Sequence, residues 1–243
     1  MDKIDKLVHL MKNSKKTIVL TGAGISTESG IPDFRSSTGL WAHIDPMEAL
    51  STDVLYNNPN KFYKEGFELL TGMTNAEPNI GHFMLAKLEN EGFVDLLITQ
   101  NIDNLHQRAG SKNIYEVHGN TREGYCTDCG EKVVIEHIKD KVKSGQVPPV
   151  CHRCGGILRP SVVMFGDGLP ECFDKGWREV EKSELLIVIG SSLSVSPVNY
   201  LANICENLAI INLGETMYDY KAKIIINEKI GETLKTVYDR LNK

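Results

Sequence analysis

Short, nearly continuous apolar runs alternate with amphipathic stretches along most of the chain. The clearest runs are TIVLTG (17–22), VDLLITQN (94–101), LLIVIGSS (185–192), LAIINLG (208–214) and KIIIN (223–227), each closing on Gly, Asn, Ser or Thr. A strand covered on both faces has no polar side to show, so this pattern predicts parallel strands with functional groups collected at their C-terminal ends. Between the runs, FYKEGFELL (62–70), HFMLAKLEN (82–90) and VNYLANICEN (198–207) predict helices. The last residues, GETLKTVYDRLNK, put Leu234, Val237, Tyr238 and Leu241 on one helical face, and Ile4, Leu7, Val8 and Met11 do the same near the start. Alternating β and α segments predict an α/β fold built on a doubly wound parallel sheet.

Residues 120–160 break the pattern. They contain CxxC pairs at Cys126/Cys129 and Cys151/Cys154, the dipeptides Pro148-Pro149 and Gly155-Gly156, and little continuous apolar sequence. Two CxxC turns separated by 21 residues predict a four-thiolate zinc site. Four sulfurs complete a tetrahedron and leave no position for water or substrate, so the metal is expected to be structural and to hold a module too small for its own core. The expected organisation is a large sheet domain, about 1–119 and 161–243, with the zinc module at about 120–160 inserted between two strands. His137 and His152 read as the module's surface.

Composition excludes some functions. The net charge is −5 with no cationic block, so no nucleic-acid footprint is visible. No apolar run approaches the roughly 20 residues of a membrane helix, and the N-terminal stretch lacks the apolar segment of an export signal. The expectation is a cytoplasmic protein, in which paired CxxC elements favour metal over disulfides.

Candidate chemistry gathers at the predicted strand ends. The first run leads into Gly22-Ala23-Gly24-Ile25-Ser26-Thr27, a turn that would let backbone approach a pyrophosphate or would simply be tight. Thr27 stands where a third glycine would complete GxGxxG, and no acidic residue follows at the usual distance, which disfavours hydride transfer. SGIPDFRSSTGLW (29–41) reads as a loop, yet holds Phe34, Arg35 and Trp41. TQNIDNLHQRAG (99–110) presents Gln100, Asn101, Asp103 and Asn104, suited to ligand binding, to capping a helix through Leu105 and Arg108, or to both. His106 reads as an ordinary helix residue. His118, after the strand-like IYEV, is surplus to the metal and reads as either structural or catalytic.

Taken together, the chain resembles the sirtuins, NAD-dependent protein-lysine deacylases, over nearly its whole length. The resemblance is carried by GAGIS (22–26), SGIPDFR (29–35), GLW (39–41), TQNIDNLH (99–106), HG (118–119), both CxxC pairs, VVMFGDGLP (162–170), GSSLSVSP (190–197) and INLGET (211–216). It implies a Rossmann-like domain plus a small zinc domain, with NAD and an acyl-lysine peptide meeting in the cleft between them. His118 is the implied base, with Asn101 beside it as a catalytic residue. Ala23, Thr27, Phe34, Arg35, Gln100, Ile102 and Asp103 are the implied contacts of the cofactor and its nicotinamide end. Ser191, Ser192 and Asn212 would meet its ribose and phosphate groups, and Lys229 its adenine. Val163, Met164, Phe165 and Gly166 would pair as a strand with the substrate peptide.

The chemistry this implies consumes NAD. The acyl oxygen of the substrate lysine attacks C1′ of the nicotinamide ribose, nicotinamide leaves, and His118 activates a ribose hydroxyl that takes over the acyl carbon; water then frees lysine and O-acyl-ADP-ribose. Ser36 and Asp167 depart from the family's commoner glycine and glutamate. Desuccinylating members carry a tyrosine followed three positions later by arginine; here Tyr63 is followed by Gly66. Without that guanidinium a buried acyl carboxylate would be uncompensated, so acetyl-lysine proteins are the expected partners. Two rivals remain at this stage: mono-ADP-ribosyl transfer from the same NAD site, and a non-catalytic NAD-sensing module.

Overall fold

The computed structural model describes residues 2–33, 45–72 and 76–243. Its strands are β1 (Thr17–Thr21), β2 (Leu96–Thr99), β3 (Ile114–Glu116), β4 (Gly119–Cys126), β5 (Lys132–Val134), β6 (Leu158–Val162), β7 (Leu185–Ile189), β8 (Leu208–Ile211) and β9 (Ile224–Ile226). All five apolar runs, and IYEV, are strands of one parallel sheet ordered β3-β2-β1-β7-β8-β9. Every residue of β1, β2, β7 and β8 is buried, as their unbroken apolar character requires.

Alternate residues of these strands feed two separate cores. Val19, Leu97, Ile187, Ile189 and Ile211 face the helices Lys3–Asn13, Ile80–Asn90 and Ile230–Leu241. Ile18, Leu20, Ile98, Val188 and Ile210 face the other way, against the helix Glu171–Glu181 and the turn of helix Leu201–Ile204. The sheet is thus doubly wound, and its order reverses between β1 and β7, the position where open α/β sheets bind ligands.

The second sheet is antiparallel, ordered β5-β4-β6, and carries the four cysteines. It does not supply its own core. Tyr63, Phe62, Leu55, Phe67 and Leu70 pack with Cys126, Cys151, Ile138, Leu158 and Met164 in a third cluster. The segment between Ala49 and Leu70 therefore covers the small sheet and adds no layer to the large one. FYKEGFELL accordingly differs from a plain amphipathic helix: Phe62–Gly66 is a π turn leading into the helix Phe67–Thr71. Gly66 sits so close to the main chain of Ala49 that a Cβ would lie 2.2 Å from its carbonyl oxygen. VNYLANICEN is also less helical than its periodicity predicts. Its helix stops at Ile204, and Cys205, buried and extended, turns the chain toward β8.

Both crossings between the sheets run side by side. The Val163 N–H donates to the His118 carbonyl at 2.9 Å, and Gly119 pairs with Val162. Gly119 has φ +76°, and a Cβ there would lie 2.0 Å from the Ser161 carbonyl oxygen, so only glycine lets the chain leave β3 and enter β4 at this point. Among the described residues, no helix is long and apolar enough to cross a membrane.

Candidate active site and metal centre

Parallel strands bring their C-terminal ends to one edge, and there the candidate groups meet. At the reversal point the loops after β1 and β7 interlock through glycine. The Gly22 N–H donates to the Ile189 carbonyl at 3.0 Å, and the Gly24 N–H to the Gly190 carbonyl at 2.8 Å. A Cβ on Gly24 would lie 2.7 Å from the Gly190 Cα, and one on Gly190, where φ is +63°, would lie 2.4 Å from the Ile25 nitrogen. Contact between two turns accounts for these glycines. A seven-residue 3₁₀ helix, Ala23–Ser29, follows β1 in place of a longer α-helix and ends on left-handed Gly30. Ala23 and Thr27 lie on it, the Thr27 hydroxyl donating to the Gly24 carbonyl at 2.9 Å.

The loop after β2 carries a closed set of polar contacts. Ser26 donates its hydroxyl to Asp103 Oδ2 at 2.6 Å and accepts from Asn101 Nδ2 at 3.1 Å. Asp103 Oδ1 accepts the Leu105 N–H at 3.0 Å, so the same carboxylate that meets Ser26 also holds the first residue of the helix Leu105–Ala109. Burial pushes the Asp103 carboxyl above the usual carboxylate range, while the Ser26 hydroxyl and the Leu105 N–H pull it back. The Ile102 side chain packs in the third cluster, and its carbonyl accepts from the Thr121 hydroxyl at 2.9 Å.

His118 stands at the crossing between the sheets, half-buried, with Nδ1 3.0 Å from the Gln100 carbonyl oxygen. The Gln100 side chain in turn donates to Ser191 Oγ at 3.0 Å, tying the end of β2 to the end of β7. Ser191 Oγ also accepts the Leu193 N–H at 3.3 Å. His118, Gln100, Ser191, Asn101, Asp103 and Ser26 therefore form two hydrogen-bonded groups on adjacent residues. Ser192, Asn212 and Lys229 lie further along the same edge, after β7, β8 and β9. Ser192 shares a hydrogen bond with Ser194 at 2.8 Å, Asn212 donates to the Gly214 carbonyl at 2.8 Å, and exposed Lys229 pairs with Glu232 at 3.8 Å. Phe34 and Arg35 lie outside the described residues.

Val163, Met164, Phe165 and Gly166 leave β6 as a pinned loop. The Phe165 N–H donates to the Leu50 carbonyl at 3.0 Å and its own carbonyl accepts from Thr52 at 2.9 Å. The Met164 N–H donates to Asp167 Oδ2 at 2.8 Å. Main-chain groups expected to pair with a peptide are thus already in use at Phe165 and Met164. Asp167, the residue departing from the family's commoner glutamate, also forms a two-pronged ion pair with Arg159, whose side chain is buried in β6 and donates to the Val162 carbonyl at 3.1 Å.

The four cysteine sulfurs lie within 4.8 Å of one another, Cys126 to Cys154 at 3.4 Å and Cys129 to Cys151 at 3.9 Å. Bonds of about 2.3 Å to zinc require sulfurs roughly 3.8 Å apart at tetrahedral angles, so the donor set fits the ion. Both turns are built alike. Gly130 and Gly155 are left-handed and return their N–H groups to the carbonyls of Cys126 and Cys151, each at 3.0 Å. The repeat CxxCG was visible in the sequence as the signal for those two glycines. Backbone N–H groups, that of Cys129 foremost, draw the Cys126 thiol down, while the neighbouring cysteine sulfurs push the Cys154 thiol up.

Residues 22–197 match the model of the Sir2 family. The chain belongs to the Sir2 family. It is 58% identical over 235 residues to "NAD-dependent protein deacetylase 2" of Caldanaerobacter subterraneus subsp. tengcongensis, covering 96% of this chain and 94% of that protein. It is 40% identical over 245 residues to the "NAD-dependent protein deacetylase" of Thermotoga maritima, covering 98% of each. Among solved structures it is similar to a complex described as Sir2 with p53 peptide and NAD+, at 39% identity and a TM-score of 0.88, covering 99% of this chain and 98% of that one. It is also similar to Sir2 bound to acetylated peptide, at 38% identity and a TM-score of 0.89, with the same coverage.

Within this Sir2 chain several site residues were not legible one by one. Ser26 and Gly190 act by joining loops that are remote in sequence, which only the strand order reveals. His106 lies on the helix Leu105–Ala109, as expected, and is buried there with its Nε2 3.0 Å from the Thr21 hydroxyl. Tyr63 is fully buried and donates its hydroxyl to the Leu158 carbonyl at 2.5 Å.

Proposed function

We propose that the chain is an NAD-dependent protein-lysine deacetylase that releases nicotinamide, O-acetyl-ADP-ribose and free lysine. The observation that carries the chemistry is the Nδ1 contact of His118. A carbonyl oxygen can only accept, so the Gln100 carbonyl fixes the proton on Nδ1 and puts the imidazole lone pair on Nε2. A neutral imidazole so oriented, at the ligand-binding edge of the sheet, is a base able to work near neutral pH.

NAD supplies, when bound, a ribose carbon activated by nicotinamide as leaving group and the hydroxyl that accepts the acyl group. In this reading His118 Nε2 takes the proton of that hydroxyl while Nδ1 keeps its bond to Gln100. Asn101 and Asp103, held by Ser26, hydrogen-bond the carboxamide of nicotinamide. Ala23, Thr27, Phe34, Arg35, Gln100 and Ile102 border the nicotinamide half of the cofactor; Ser191, Ser192, Asn212 and Lys229 serve the other half. Val163–Gly166 borders an acetyl-lysine peptide. The buried hydroxyl of Tyr63 and the lack of room at Gly66 support a neutral acyl group.

Zinc is held by Cys126, Cys129, Cys151 and Cys154 and serves structure, since four sulfurs leave it no open position. A reducing, cytoplasmic setting belongs to the proposal, because the site needs reduced cysteines. We also propose two lobes, a large one at about 1–119 and 161–243 and a small one at about 120–160, with the segment between Ala49 and Leu70 assigned to the small lobe on the strength of their shared core.

The test is mass spectrometry of enzyme, NAD and an acetyl-lysine peptide. O-acetyl-ADP-ribose formed in equal amount with deacetylated peptide supports the reading. NAD consumed without deacetylation would move it to ADP-ribosyl transfer.

A further inference from the structure

A line of buried polar groups runs beneath the loop that carries Asn101. The Asn101 N–H donates to Thr99 Oγ1 at 3.0 Å, the Thr21 hydroxyl donates to the same oxygen at 2.8 Å, and His106 Nε2 lies 3.0 Å from Thr21 Oγ1. Thr21, Thr99 and His106 are each at most 2% exposed. With Thr21's only proton committed to Thr99, His106 must donate from Nε2, which leaves its lone pair on Nδ1. His82 lies beside it, the ring centroids 4.8 Å apart. Its Nδ1 accepts the Asn79 N–H at 3.3 Å, so its proton sits on Nε2. His106 Nδ1 and His82 Nε2 are both buried, and neither has a hydrogen-bond partner among the described residues. From His106 through Thr21 and Thr99 to Asn101 the donor and acceptor directions agree.

From this we infer that His106 is a positioning residue for the nicotinamide pocket. Acting through the hydroxyls of Thr21 and Thr99, it sets the main chain at Asn101 and with it the amide that donates to Ser26, whose hydroxyl in turn donates to Asp103. Thr99 Oγ1 accepts two hydrogen bonds at once, so its own orientation is fixed only while Thr21 is held from the other side by His106. His82, in ring contact with His106, lies beside the line and is met by Asn79, which also donates to the Ile25 carbonyl at 2.8 Å and to Ser29 Oγ at 2.9 Å. The inference rests on the deacetylase reading above.

The experiment compares Thr21→Val, which keeps shape and removes the hydroxyl, with Thr21→Ser, which keeps the hydroxyl. Deacetylation kinetics and nicotinamide inhibition are measured on both and on the unaltered enzyme, normalised to folded, zinc-loaded protein. Thr21→Val is expected to weaken nicotinamide inhibition and lower kcat, each by about tenfold, with peptide KM within about twofold, since one oriented hydrogen bond is worth roughly this much. Thr21→Ser should stay within about threefold of the unaltered enzyme in both. Should Thr21→Val fail to fold, Thr99→Val against Thr99→Ser makes the same comparison one step nearer Asn101. Equal behaviour of the valine and serine variants, or wild-type nicotinamide inhibition in a valine variant, overturns the role of the line while leaving deacetylation intact. An unaltered enzyme that makes no O-acetyl-ADP-ribose overturns the underlying reading instead.

Discussion

His118 Nδ1 and the carbonyl oxygen of Gln100 lie 3.0 Å apart, and that one contact decides which nitrogen can act as a base. It also ties the base to the loop after β2, because the Gln100 side chain is held by Ser191 at the end of β7. The imidazole is oriented by the sheet itself.

His118→Ala should therefore cost activity and little else. Loss of a positioned general base lowers rates by about 10²- to 10⁴-fold. The zinc content should stay at one per chain, because the cysteine cluster makes no use of His118. Rates of O-acetyl-ADP-ribose formation, read beside metal analysis, check both halves; zinc lost together with activity would refute the separation of the two sites.

The interlock of Gly24 with Gly190 gives a second expectation. A methyl group at 190 meets the Ile25 nitrogen and forces a left-handed alanine, two of the mechanisms behind large destabilisation. Gly190→Ala is expected to lose about 2 kcal/mol or more and to weaken NAD binding, because the displaced turn borders the site. Gly168→Ala, with nothing within 4 Å of the added Cβ, is the control and should be near neutral. Denaturant melts and NAD titration of the pair check this, and equal stabilities would show that the turns can separate freely.

Much of this was readable in the chain before folding. The strands announced themselves because burial on both faces leaves an unbroken apolar run, and CxxC spacing alone selects a four-sulfur site. What could not be read depended on which distant segments become neighbours. Gly190 looks like any turn glycine until β7 is placed beside β1. The FYKEG stretch reads as one more helix for the large sheet, yet its Phe62 and Tyr63 are drawn to the cysteine-bearing sheet, which has too few residues to cover itself. The same reason hides His106, whose burial depends on Thr21 coming alongside from 85 positions away.

Asp167 offers a third expectation, on stability more than chemistry. Its carboxylate neutralises Arg159, which is 3% exposed, and accepts the Met164 N–H. Removing one partner of such a pair strands a buried charge, at a cost of about 3 kcal/mol or more. Asp167→Ala is expected to show that loss in urea unfolding, and to raise peptide KM more than NAD KM because the loop 163–166 is released. Asp167→Asn, which keeps an acceptor for Met164, should fall between. Equal changes in the two KM values would separate the ion pair from the peptide.

The buried histidines make the fold less stable as pH falls. Burial lowers the His82 pKa to about 4, and burial together with the neighbouring His82 holds His106 well below its ordinary value. In the unfolded chain both titrate near about 6.5. Between these values the unfolded state binds more protons, so stability rises with pH across the window: the full contribution is present above about pH 6.5 and is lost as pH falls toward 4. For His82 alone the difference amounts to about 3 kcal/mol. Asp103 acts in the opposite sense, since its raised carboxyl favours the folded state at low pH, which is why a substitution is needed to isolate the histidine. His82→Asn keeps an acceptor oxygen near the Asn79 N–H and removes the titrating ring. Whatever the cavity costs at every pH, its stability should fall less steeply than that of the unaltered chain between pH 6.5 and 4. Parallel slopes across that range would mean that His82 is already free to protonate in the folded protein.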